Sequence, residues 1–147
     1  RPRDEGAGAV TSQAFASAVL ALMPAGIVVY DGQAVAGANV PARPWAFVAI
    51  SFPDRWERTL ASPSVLRRTL VQISAVGDTT VQARFVADRV DAALEGARPT
   101  ISGWSTTGMR MVNSRPPEQD RDVTITTTNL HPMVGVLEYE FTASVIS

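Results

Sequence analysis

The most regular hydrophobic pattern of the chain lies near its C-terminal end and predicts a long β-strand. Between Val134 and Ile146 apolar and polar residues alternate, as they do in a strand that is buried on one side. At about 3.3 Å per residue such a strand would be roughly 40 Å long, so we expect part of it to project beyond its own sheet. One face carries Leu137, Tyr139, Phe141, Ala143 and Val145, and the other carries Glu138, Glu140, Thr142 and Ser144.

Two other segments carry apolar residues at helical spacing and predict amphipathic helices. The first begins at Thr11 or Ser12 and ends at Pro24. The second begins with Thr79 and Gln82, which match the capping box of a threonine followed by a glutamine three residues later. The apolar stripes are Phe15, Val19, Leu22 and Met23 in the first helix, and Ala83, Val86, Val90, Ala93 and Leu94 in the second.

Shorter β-prone segments fill the rest of the chain. The segment 115–122 contains two prolines, which cannot join the interior of a sheet, and we predict a polar loop there. The segment 54–64 is predicted to be a charged loop or a short helical turn. Strands are predicted at 27–32, 45–53, 65–77, 100–104 and 109–114, and the Thr-rich segment 123–128 is also β-prone.

The order of these elements lacks the regular alternation of strands and helices that parallel folds show. We therefore predict an α+β fold, with a mostly antiparallel (mixed) β-sheet and two main α-helices packed on one face. The polar, Gly-rich residues 1–10 are predicted to form a flexible N-terminal segment, and residues 11–147 a single domain.

Composition narrows the possible functions. The net charge of −1 gives no electrostatic footprint for nucleic acid or for an anionic membrane. The absence of cysteine excludes disulfides, a thiolate nucleophile and Cys-based metal sites. The longest apolar stretch, residues 14–26, is shorter than the roughly 20 residues that span a bilayer, so we expect a soluble protein without a membrane partner.

Candidate catalytic patterns are weak throughout the sequence. In the segment 76–96 a predicted strand is connected to a predicted helix through a glycine, as in a phosphate-binding loop. Such a loop needs further glycines and a lysine, and the chain has no lysine. His131 is the only histidine, and the segment "GWSTTG" lacks the spacing of a nucleophile turn. Glu138 and Glu140 are interpreted as a solvated or subunit-facing pair. We predict no catalytic residue, no cofactor and no metal, and therefore no enzyme.

Four segments of the chain resemble the tail terminator (tail completion) proteins of long, non-contractile-tailed bacteriophages. They read "IVVYDGQ", "RPWAFVAISFP", "LVQISAVGDTTVQARFVADRVDAAL" and "HPMVGVLEYEFTAS", and they span most of residues 27–144. The resemblance implies a structural protein of the virion, made in the host cytoplasm. It implies a homo-oligomeric ring, usually a hexamer, that stops polymerisation of the tail tube protein and docks to the head–tail connector or stopper protein. DNA only passes through the lumen, and no cofactor is bound.

Two sets of residues are predicted to serve this role. The predicted projecting strand leaves edge groups that a neighbouring subunit can pair with, so we place the subunit interface there. Loops rich in charge are predicted to face the tube, the connector or the lumen, where acidic or balanced charge lets DNA pass. The interface set is Leu137, Glu138, Tyr139, Glu140, Phe141, Thr142 and Ser144, and the loop set is Asp54, Arg55, Trp56, Glu57, Arg58, Arg115, Glu118, Asp120 and Asp122.

Three other functions remain open at this point. A head–tail joining or stopper protein would differ from a terminator mainly in the neighbour that it binds. A small hydrolase or nucleotide-modifying enzyme would need a pocket in which His131 faces a carboxylate. A ligand-binding module would line its pocket with Trp45, Trp104 and Met109.

Overall fold

The structure is a computed structural model, and it describes residues 12–32, 44–55, 66–121 and 131–146. The predicted flexible segment 1–10 and the β-prone segment 123–128 lie outside the described residues. No described helix has both the length and the apolar character that crossing a membrane requires.

Both predicted helices are present. Helix α1 spans Ser12–Leu20 and helix α2 spans Thr80–Leu94. The predicted capping box is confirmed, because the Gln82 backbone N–H donates to Oγ1 of Thr79 at 3.1 Å. The Gln82 side chain reaches back one residue further than in the standard motif and accepts from the Asp78 N–H at 2.7 Å. Two otherwise unpaired backbone donors are thereby satisfied at the start of α2.

Among the described residues, seven strands form one mixed sheet, and the predicted α+β fold class is confirmed. The central order is β1-β2-β4-β7, with β1 parallel to β2 and the other pairs antiparallel. β3 pairs with the same edge of β4 as β2 does. β5 and β6 pair with the edge of β7 that is not paired with β4. The strands are β1 Val28–Asp31, β2 Trp45–Ile50, β3 Asp54–Arg55, β4 Leu66–Gly77, β5 Trp104–Thr106, β6 Arg110–Gln119 and β7 Met133–Val145.

The two helices pack on one face of this sheet and form the core with it. Strand register places alternate residues of β2, β4 and β7 on the helix-covered face, and these are the buried ones. Phe15 of α1 contacts the rings of Trp104 and Phe141, with centroids 5.4 and 6.2 Å apart. The core includes Phe15 and Val19 from α1, Val86, Val90 and Leu94 from α2, and Val48, Val71, Ile73, Leu137, Tyr139 and Phe141 from the sheet.

Two local predictions are wrong. Residues Asp54 and Arg55 form the short strand β3, which pairs with Arg67 and Arg68, where the sequence predicted a loop or helical turn. The predicted polar loop at 115–122 is largely strand, because β6 continues to Gln119. Its two prolines are tolerated because β6 is an edge strand and its register shifts between Arg115 and Glu118.

We predict that two strand glycines differ sharply in their tolerance of alanine. A Cβ added at Gly77 would lie 2.6 Å from Cβ of Gln82 and 2.7 Å from the backbone nitrogen of Ala83, so the first turn of α2 would have to move. Gly77→Ala is expected to destabilise the fold by about 1–3 kcal/mol. The measurement is the midpoint of urea unfolding.

Gly135→Ala is the matched control for this substitution. Gly135 is also a buried strand glycine, but the nearest atom to its added Cβ lies at 3.5 Å, which is ordinary contact. We expect that variant to change stability by less than about 0.5–1 kcal/mol. An equal loss in both variants would contradict this account of the joint between β4 and α2.

Candidate protein-interaction surfaces

Strand β7 does not project from the sheet, which corrects the basis of the predicted subunit interface. β4 pairs with β7 over its whole length, from Leu66 opposite Ser144 to Gly77 opposite Met133. The other edge of β7 is paired with β5 near its end and with β6 along the rest. The length of the strand was predicted well, but the prediction that a free end is available to a neighbour is wrong.

The apolar half of the predicted interface set lies inside the subunit. Leu137, Tyr139 and Phe141 face the helices and are buried. The Tyr139 hydroxyl donates to Oδ1 of Asp91 on α2 at 2.6 Å. Burial, and then the hydrogen bond to the Asp91 carboxylate, raise the pKa of Tyr139 far above its ordinary value. This contact fastens α2 to the centre of the sheet.

The polar half of the set lies on the second face of the sheet, which no described helix covers. We call this surface the open face. Glu140 accepts a hydrogen bond from Nη2 of Arg110 at 2.8 Å and forms an ion pair with Arg68, whose Nε lies 3.0 Å from Oε2, so one carboxylate joins three adjacent strands. Glu138 accepts from the Asn113 side chain at 3.3 Å. Thr142 and Ser144 continue the same row and are partly exposed.

The other side of the open face is aromatic. Val28 and Tyr30 of β1 lie opposite Trp45 and Phe47 of β2, and we call these four residues the aromatic cluster. The rings of Tyr30 and Trp45 meet edge to face, with centroids 5.2 Å apart. Val28 is 47% exposed and the three aromatic residues are half-buried. Protein interfaces are enriched in aromatic residues of this kind.

The edge of the sheet formed by β6 is closed to strand addition. Where β6 begins, the turn after α2 covers it: the Gly96 N–H donates to the Met109 carbonyl and the Met109 N–H to the Ala97 carbonyl, both at 2.7 Å. The Met111 N–H donates to Oε2 of Glu95 at 2.9 Å. Further along, two register shifts and the adjacent prolines interrupt the edge. Bulges, prolines and a covering element are the devices that prevent edge-to-edge pairing.

The predicted tube, connector and lumen residues do not form one patch. Asp54 lies opposite Arg68, in the row of Thr142, whereas Glu118 lies opposite Val134. Eight residues of β7 separate these rows, which corresponds to roughly 26 Å. Asp120 follows β6, and its N–H donates to the Pro132 carbonyl at 2.8 Å. Trp56, Glu57, Arg58 and Asp122 lie outside the described residues, and Arg55 and Arg115 are in strands β3 and β6.

The pockets that the alternative functions require are not formed by the residues proposed for them. Trp104 and Met109 are buried in the core, whereas Trp45 lies on the open face, so the three cannot line one cavity. Four shallow depressions on the described surface have volumes of about 230 to 320 Å³, and His131 lines none of these four. Within the described ranges, no three histidine or acidic residues are grouped to hold a metal ion.

Sequence reasoning missed both features that distinguish the open face. The aromatic cluster could not be predicted because "WAFVAI" is apolar at every position. Without alternating polar residues, the sequence does not indicate which side of this strand faces the core. The arginine partners of Glu140 come from β4 and β6, which are far apart in the chain. A signal was present in the two arginines 67 and 68 within a β-prone run, since one of two consecutive strand residues must face away from the core.

Comparisons with known proteins address the fold. No protein-family model matches the chain, and no curated protein does. A solved chain from the virion of a native gene transfer agent particle is 19% identical, covering 86% of this chain and 84% of its own length, with a TM-score of 0.48. A second solved protein, whose name states no function, is 15% identical over 92% of both chains, with a TM-score of 0.58. The second likeness shows that the whole fold recurs in another protein.

We predict that the Tyr139 hydroxyl contributes to the stability of the fold, whereas the Tyr30 hydroxyl on the open face does not. Tyr139→Phe removes the hydroxyl that Asp91 accepts, and we expect the free energy of unfolding to fall by about 1–3 kcal/mol, as for hydrogen bonds to charged groups. Tyr30→Phe on the open face is the control, with an expected change below about 0.5 kcal/mol. Equal losses in urea unfolding would show that the Tyr139–Asp91 contact contributes nothing particular.

Proposed function

We propose that this chain is a structural protein of a phage-like particle and that it acts as a tail terminator. In this proposal several copies, six in the usual arrangement of the family that the sequence resembles, form a ring at the head-proximal end of the tail tube. The ring stops tube polymerisation and docks to the head–tail connector. The observation that carries the proposal is the open face of the sheet, which carries an aromatic cluster on β1 and β2 and an arginine–glutamate network on β4, β6 and β7.

The open face has the properties of a contact surface between proteins. Its aromatic residues are half-buried, and Glu140 is held by ion pairs to Arg68 and Arg110 on the neighbouring strands. The depression over the arginine–glutamate network has a volume of about 320 Å³ and is lined by both arginines, Glu140 and two threonines. It is open to solvent, whereas sites that turn over small molecules bury most of their ligand. This surface suits side chains presented by another protein.

The separation of the charged residues fits a ring with two different neighbours. In a ring at the end of a tube, one end of each subunit meets the tube and the other meets the connector. Asp54 and Glu118 lie in rows at opposite ends of the sheet, so a single subunit presents acidic residues in both directions. Arg115 and Arg121 balance Glu118 and Asp120 at one end, and balanced charge does not retain the phosphates of passing DNA.

Deleting the gene for this chain distinguishes a terminator from a stopper. Without a terminator, we expect tail tubes of uncontrolled length, because nothing ends polymerisation, and heads without joined tails. Without a stopper, tails would keep their normal length and filled heads would lose DNA. Electron microscopy of the particles measures both results, with the deletion complemented from a plasmid as control. Normal tails on infectious particles would refute both roles.

Charge reversal tests whether the acidic residues after β6 face the lumen. In the variant Glu118→Arg with Asp120→Arg, two charges per subunit reverse sign and the net charge of the subunit becomes four units more positive, so particles should assemble but deliver DNA at least tenfold less efficiently. Raising the salt concentration during ejection should relieve the defect, because phosphate contacts are salt-dependent. The control is Glu118→Gln with Asp120→Asn, which removes acidity without adding arginine. Normal delivery by the arginine variant would place these residues away from the DNA path.

A further inference from the structure

We draw no further inference here: the strongest candidate, the exposed apolar patch that Val81 and Phe85 form on helix α2, carries none because nothing in the described part of the structure shows what covers it.

Discussion

The structure depends on the position of β7, which is paired on both edges. β4 follows one edge for twelve residue pairs, and β5 and β6 share the other. Side chains alternate between the two faces of a strand. One set of β7 side chains therefore packs in the core beneath the helices, and the other set lies at the centre of the open face. Tyr139 holds α2 on one side, and Glu140 joins β4 and β6 on the other. A register slip of one residue would exchange these two sets and destroy both surfaces at once.

Local patterns in the sequence predicted the elements of this arrangement well. The period-two run near the C-terminus, the capping box at Thr79 and the apolar stripe of α2 each depend on neighbouring residues, so they can be read without knowledge of the fold. The two wrong assignments share a cause. β3 and the later half of β6 are strands because a long partner is available to pair with them, and pairing across the chain overrides the weak local preference of their residues.

The surfaces could be predicted only in part, for a similar reason. The sequence places Glu138, Glu140, Thr142 and Ser144 on one face of a strand, and the structure keeps them on one face. Whether that face or the strand edge is available to a partner depends on which strands pair beside it. The sequence predicted an interface at the strand edge, because a strand of thirteen residues exceeds the usual length and would project beyond its sheet. The structure favours the face, because an equally long β4 and the combined length of β5 and β6 satisfy both edges.

A closed edge and an open face have different consequences for assembly. Strand addition is held mainly by backbone hydrogen bonds, which any extended segment can offer, so an open edge recruits partners with little selectivity. A face that carries aromatic rings at one side and Arg68, Glu140 and Arg110 at the other requires a partner of matching shape and charge, and a mismatched charge there is penalised. In the proposed terminator, a ring that ends one polymer and accepts one connector would need that selectivity more than generic affinity. The Glu95–Met111 bond and the prolines of β6 disfavour strand addition at this edge, and in the proposed function the open face is therefore the surface that recognises a partner.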